Sequence, residues 1–336
     1  MNRFEEFSNT YQILEKLGEG SGGVVYLAYH RRLQKEVVLK QIKSKGLSMA
    51  DKRQEVDILK NLNHSFLPQV LDFLMMGDEV YTVMSYIPGK SLARLMREGA
   101  RFSLGQLIRW GMQITIALNY LHSQRPPVIH GDIKPANIML TPQGNICLID
   151  FNISFFLDEN AILGYTDGYS SPEQYIIALD SASERSIGNY RKIDEKADIY
   201  SVGATFYHLA TGRRMRDYRD QIDYDLLVSR TSEAFAQIIA KAVEKDPNKR
   251  FNSAFEMFQA FQNVERKDGK YRALLKRQTA VRIALFACMA GFIVMGGLGI
   301  HTIRGERTDE YNDLVATQAE YREAGDYEKQ EETFEE

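Results

Sequence analysis

From Ile283 to Ile303 the chain runs for 21 residues without an Asp, Glu, Lys or Arg. Wound as a helix at about 1.5 Å per residue, this stretch is roughly 31 Å long, the thickness of the hydrocarbon core of a bilayer. The alternative, a helix buried in a globular core, seldom keeps so long an uncharged run. The flanks are unequal: Arg266, Lys267, Lys270, Arg272, Lys276, Arg277 and Arg282 precede the stretch, and only Arg304 and Arg307 follow closely. By the positive-inside rule, residues 1–282 are expected in the cytoplasm and the tail from 304 outside it. Met1 to Thr10 is polar and acidic with no apolar h-region, so the uncharged stretch is expected to act as its own insertion signal.

The formal net charge of -3 hides the same asymmetry, since residues 305–336 hold 12 acidic and 3 basic side chains while residues 1–282 carry a net +5. That excess is too small for a nucleic-acid binder, and no nucleic-acid partner is expected. With 336 residues there is room for about two domains, and 44% apolar with 26% charged residues excludes a disordered or fibrous chain. The two cysteines, Cys147 in an apolar run and Cys288 inside the uncharged stretch, make no disulfide framework. Each reads as a small buried apolar residue, and a reducing compartment fits the main domain.

The first 90 residues read as strands: Tyr11 to Leu17, Val24 to Tyr29, Glu36 to Ile42, Leu67 to Met75 and Val80 to Tyr86 are β-branched or aromatic runs separated by turn residues. Ser48 with Asp51, and Val56, Leu59 and Leu62 at helical spacing, place a helix over 49–62. After Pro88-Gly89, helical periodicity takes over at 103–124, 198–211, 232–243 and 253–264, with a hairpin at 137–150 that turns at Gln143-Gly144-Asn145. A strand-rich half followed by a helix-rich half predicts a two-lobed α+β architecture.

Gly18-Glu19-Gly20-Ser21-Gly22-Gly23-Val24-Val25 fits G-x-G-x-x-G-x-V. Glycines let backbone N–H groups close on a phosphate, although an ordinary Gly-rich hairpin turn has the same composition. A dinucleotide site needs the loop to lead from a strand into a helix, whereas Val24 to Tyr29 reads as a second strand. Fifteen residues after Val25, Val37-Val38-Leu39-Lys40 sets one lysine on an apolar strand. It is either a solvated strand lysine or a phosphate ligand held by Glu55 on the following helix. His130-Gly131-Asp132-Ile133-Lys134-Pro135-Ala136-Asn137 follows, and thirteen residues later Asp150-Phe151-Asn152. Phosphoryl transfer needs a carboxylate to orient a hydroxyl, oxygen ligands for Mg²⁺ and a cation for developing charge. Asp132, the pair Asn137 and Asp150, and Lys134 supply that set.

With these motifs in this order, residues 11–264 resemble the eukaryotic-like (Hanks-type) Ser/Thr protein kinases, in particular their bacterial membrane-anchored branch. The resemblance implies a bilobal kinase fold followed by one transmembrane helix: N-lobe 11–87, C-lobe 88–264, basic juxtamembrane segment 265–282, membrane helix 283–303 and acidic extracytoplasmic tail 304–336. It implies ATP with Mg²⁺, Mn²⁺ being the alternative ion, and protein substrates with Ser or Thr acceptors. Catalytic roles then fall on Asp132, Lys134, Lys40, Glu55 and Thr166, and metal binding on Asn137 and Asp150. The nucleotide would meet Leu17, Gly18, Gly20, Gly23, Val25, Val38, Lys40, Met139 and the hinge Met84, Ser85, Tyr86 and Ile87. Ser171-Pro172-Glu173 resembles the end of the activation segment, and Glu173 is expected to pair with Arg250.

Several residues depart from the family pattern. Gly131 stands where an Arg usually grips an activation-segment phosphate, and residues 150–173 contain no Lys or Arg. Activity is therefore expected without phosphorylation of that segment, with Ser170→Ala and Ser171→Ala silent. Asn152 replaces a Gly. Residues 176–196 include an insert of roughly a dozen residues beside the substrate groove. The tail from Val315 reads either as a solvated acidic segment or as the first part of a tetratricopeptide repeat, and Ala287-x-x-x-Gly291 permits a homodimer in the bilayer. A pseudokinase scaffold at the membrane is the competing function. A small-molecule kinase is disfavoured by Ser171-Pro172-Glu173 and Thr166.

Overall fold

Alternation of apolar side chains builds the first sheet of the computed structural model, which describes residues 9–20, 23–42, 60–76, 79–150, 165–182, 193–217, 219–264 and 269–324. Five antiparallel strands, β1 (Tyr11–Gly20), β2 (Gly23–His30), β3 (Lys35–Ile42), β4 (Val70–Met76) and β5 (Glu79–Ser85), lie in the order β1-β2-β3-β5-β4. Because successive strand residues point to opposite faces, the sheet sorts β3. Val37 and Leu39 go to a small cluster with Tyr11, Ala28 and Val83. Val38 instead packs against the large core, which includes Met84.

The second lobe opens with a short strand, β6 (Lys90–Ser91), and a one-and-a-half-turn helix, α1 (Leu92–Arg97). The long helix α2 (Leu104–His122) starts at a capping box between Ser103 and Gln106 and buries Leu107, Trp110, Ile114, Leu118 and Leu121 along one side. β6 pairs with β7 (Ile138–Leu140), which pairs with β8 (Ile146–Leu148), a small sheet between the motif-bearing loops. Helices α3 (Pro172–Ala182), α4 (Glu195–Thr211), α5 (Tyr224–Arg230), α6 (Glu233–Ala242) and α7 (Ala254–Gln262) complete the lobe. α4 is the axis of this core: from Ala197 to Tyr207 every side chain is buried, and it ends where Gly212 takes φ +73°.

The two-lobed α+β expectation is met, and the five strands and four long helices lie within a few residues of their expected bounds. α1, α3 and α5 were not expected. The expected insert at 176–196 begins as the second half of α3 and ends in the first turn of α4, with 183–192 outside the described residues. The expected helix at 49–62 also falls almost wholly outside them, as do Phe151 and Asn152.

The chain divides into two compact units, 1–271 and 272–336. The second is dominated by one helix, α8 (Gly269–Ala324), which continues through both ends of the uncharged stretch. Its apolar window is Leu275–Gly296, with mean hydropathy 1.9 and none of it buried. That window is long and apolar enough to cross a membrane and overlaps the expected span 283–303. Cys147 is buried as expected, but Cys288 is exposed, since no protein packs on this part of the helix. The residues of the tail from Val315 to Ala324 are helical, and 325–336 lie outside the described residues.

Candidate active site

The glycine-rich run sits in a β-hairpin: Gly18 faces Val25, and Gly20 faces Gly23. This geometry, strand to strand, departs from the strand-to-helix turn of a dinucleotide site. Gly23 takes φ +127°, and a Cβ there would lie 2.2 Å from the Gln41 carbonyl oxygen, so only glycine fits. The Gln41 side chain in turn accepts the Val24 N–H at 3.4 Å, tying the turn to β3. Strand register sets Lys40 between Val25 and Thr82, and Val38 between Leu27 and Met84. Val25, Val38, Lys40 and Met84 therefore form one neighbourhood, which Ser85 and the partly buried Tyr86 and Ile87 extend beyond β5. Met139 lies on β7 opposite Cys147, whereas Leu17 stays exposed on β1.

Lys40 Nζ makes an ion pair with Asp150 Oδ1 at 2.8 Å. Glu55, expected to hold Lys40, lies outside the described residues. Burial would raise the Asp150 carboxyl, but the Lys40 charge and hydrogen bond, with Lys134 beyond, keep it below the ordinary carboxylate range.

Asp132 is the point of convergence. Thr166 Oγ1 donates to Oδ1 at 2.8 Å, while Lys134 Nζ at 2.8 Å and Asn137 Nδ2 at 2.9 Å donate to Oδ2. Lys134 also donates to Thr166 Oγ1 at 3.1 Å, and Asn137 Nδ2 to the Asp132 carbonyl at 2.8 Å. Asn137 is placed by a single 3₁₀ turn, Pro135–Asn137, whose proline has no N–H to satisfy. The turn is bonded to the strand end carrying Asp150 through Ile149 N–H to the Asn137 carbonyl, 2.8 Å.

Beneath this loop lie residues that the motif reading did not single out as site residues. Asp198, fully buried in the first turn of α4, accepts the His130 N–H at 2.9 Å, the Gly131 N–H at 2.8 Å and the His122 ring at 2.8 Å. Burial would raise its carboxyl, but the bonded His122 ring and the Gly131 N–H hold it low, so the loop rests on a buried anion. His130 donates through Nε2 to the Ile149 carbonyl at 3.1 Å and accepts the Asp132 N–H at Nδ1, 3.3 Å. Both contacts demand the neutral ring, in keeping with burial that lowers its pKa. The Gln174 carboxamide donates to the Gly131 carbonyl at 2.9 Å. A buried Asp within an apolar helix pattern is the one signal by which Asp198 could have been found.

The expected pair is present: Arg250 Nη1 and Nη2 meet Glu173 at 2.7 and 2.9 Å, with the Arg250 side chain wholly buried.

The donor set suits ATP and a hard divalent ion. A carboxylate and an amide, Asp150 and Asn137, offer oxygen ligands of the kind Mg²⁺ or Mn²⁺ takes, beside a lysine and a glycine hairpin whose close packing admits only glycine. Among the described residues no group of three or more His, Cys, Asp or Glu side chains forms a separate metal cage.

Compared with known proteins, residues 11–263 match the family described as Protein kinase domain. A probable serine/threonine-protein kinase of Clostridium acetobutylicum is 28% identical over 280 residues, covering 77% of this chain and 40% of its own length. The serine/threonine-protein kinase PknG of Mycobacterium leprae is 32% identical over 259 residues, covering 74% and 32%. The chain thus spans well under half the length of these curated relatives. The crystal structure of the PknI kinase domain of Mycobacterium tuberculosis matches with a TM-score of 0.57 at 23% identity, over 76% of this chain and 96% of that one, which establishes the shared fold.

Proposed function

Because this chain belongs to the protein kinase domain family, matched over residues 11–263, we propose that it is a membrane-anchored Ser/Thr protein kinase. It would move the γ-phosphate of ATP to Ser and Thr hydroxyls of proteins, its own included. The observation that carries the reading is the Asp132 carboxylate, oriented at once by Thr166, Lys134 and Asn137.

In this reading Asp132 receives the acceptor hydroxyl's hydrogen bond and directs its oxygen, while Lys134, one bond away, offsets negative charge that develops on the transferred group. Thr166 closes the triangle, so neither side chain can rotate without breaking two hydrogen bonds. Lys40 holds phosphate oxygens from β3, and Glu55 is assigned to steady it. Asn137 and Asp150 would hold the divalent ion, which when bound supplies charge neutralisation. Leu17, Val25, Val38, Met84, Ser85, Tyr86, Ile87 and Met139 line the adenine side, and Gly18, Gly20 and Gly23 close over the phosphates. The domain bounds proposed are those of the sequence reading: kinase domain 11–264, juxtamembrane segment 265–282, span 283–303 and tail 304–336.

The test is Mg-ATP-dependent transfer by the detergent-solubilised full chain onto a peptide array. Ser and Thr peptides should be labelled in preference to Tyr, and chelation should stop the reaction. No metal-dependent labelling of any peptide overturns the reading.

Membrane anchoring is supported by the unburied apolar window and by the seven cations that precede residue 283. Lys276, Arg277 and Arg282 lie inside or at the edge of that window, where long stems let the charges reach the interface. The chain should stay in membranes through an alkaline wash, and protease added to intact cells should clip the tail beyond Arg304 while sparing the kinase domain. Cleavage of the kinase domain with a protected tail would reverse the orientation.

The site also implies activity without activation-segment phosphate. Gly131 offers no guanidinium, and at φ +73° an arginine there would cost about 1–2 kcal/mol of backbone strain. Ser170 and Ser171 are buried, Ser170 Oγ accepting the Thr166 N–H at 2.9 Å and Ser171 Oγ meeting Gln174 at 3.2 Å. Both hydroxyls are thus engaged within the segment itself. Phosphatase-treated enzyme should keep its initial rate on a peptide, and a large loss reversed by rephosphorylation would refute this.

A further inference from the structure

Gly131 precedes Asp132 and takes the left-handed conformation, φ +73°. Its peptide groups are held from both sides, the N–H by Asp198 at 2.8 Å and the carbonyl by Gln174 Nε2 at 2.9 Å. The carbonyl belongs to the peptide plane that joins Gly131 to Asp132, so whatever fixes that oxygen also fixes the direction in which the Asp132 side chain leaves the backbone.

Gln174 is fully buried. Its own carbonyl oxygen accepts the Ser171 N–H at 2.9 Å and the Ser171 hydroxyl at 3.2 Å, and the Gln174 N–H returns to Ser171 Oγ at 3.4 Å. This is the reciprocal pairing of a capping box at the start of α3. The box needs only the acceptor end of the side chain. The donor end is left over, and it is the end that reaches Gly131, 43 residues away. Its neighbours on α3 are anchored too: Glu173 by Arg250, and Tyr175, whose hydroxyl accepts the Gly168 N–H at 3.1 Å and donates to Asp167 at 3.0 Å.

We infer that Gln174 is a positioning residue for Asp132: its carboxamide, clamped by Ser171, holds the Gly131 carbonyl and thereby couples the Thr166-to-Tyr175 segment to the direction of the Asp132 carboxylate. The inference rests on the kinase reading above and assigns Gln174 no contact with substrate.

Gln174→Glu separates the two ends of the side chain. A glutamate completes the capping box equally well, but above its pKa it turns an acceptor toward the Gly131 carbonyl in place of a donor. In the full chain, kcat for peptide phosphorylation should fall about tenfold or more at pH 8, the scale of one lost buried hydrogen bond with an acceptor left facing another, while KM for ATP stays within about twofold. Burial raises a carboxyl's pKa, and the protonated form regains an O–H donor. The ratio of variant to wild-type kcat should therefore climb as pH falls from 8 to 6, which a purely structural defect would not produce. Wild-type kcat for Gln174→Glu at pH 8, or a loss unchanged across that range, overturns the inference. If fluorescence of the buried Trp110 shows the glutamate variant unfolded, Gln174→Met carries the test, with lowered kcat expected and unchanged kcat overturning. A wild-type chain without Mg-ATP-dependent transfer would instead defeat the kinase reading itself.

Discussion

Asp132→Asn lowers phosphate transfer by the full chain by about 10²–10⁴-fold, the range for removing a positioned general base. The replacement keeps the shape and can still accept from Thr166 on one atom. It removes the negative charge and puts an amide N–H where a second oxygen now meets Lys134 and Asn137. The initial rate of phosphate incorporation with saturating Mg-ATP measures the effect. Binding of ATP should persist, because Lys40, Asp150 and the glycine hairpin are untouched. A variant turning over within tenfold of wild type would remove Asp132 from the mechanism.

Arg250→Leu destabilises the helical lobe by about 3–5 kcal/mol, the cost of breaking a buried ion pair from one side. The Arg250 guanidinium binds Glu173 twice and also donates to the carbonyls of Glu244, Lys196 and Lys245. Removing it strands a largely buried carboxylate together with three carbonyls. Adding Glu173→Leu should restore part of the loss, since the stranded charge goes with it and neighbouring effects do not add. Trp110 is the chain's single tryptophan and is buried in this lobe, so its fluorescence during denaturant unfolding reports the change directly. A midpoint for Arg250→Leu equal to wild type would show that the pair is not what holds α3 to the lobe.

The strands were legible because a half-buried strand writes its two faces as alternation. Val37 and Leu39 point to one cluster, and Val38 points to the other. The long helices α2, α4, α6 and α7 were legible for the parallel reason at a period of 3.6. α1 and α5 were not, since helices of six and seven residues fall short of two full turns and leave no periodicity to read.

Within the site, the relations legible from residue order are local. His130 to Asn137 lie within eight consecutive residues, so Asp132, Lys134 and Asn137 had to share one loop, and the cation-free run 150–173 and the uncharged run 283–303 are properties of composition. Which distant groups meet them follows from how the elements pack. Lys40 reaches Asp150 because β3 pairs between β2 and β5, Thr166 reaches Asp132 from 34 residues away, Asp198 reaches Gly131 from 67 and Gln174 from 43. Apart from the Lys40–Asp150 pair, which joins the two lobes, each of these is a polar bond inside a packed lobe. A buried polar group must find a partner wherever the packing brings one, and that partner is chosen by how whole elements stack and leaves no mark on the residues beside it in the chain.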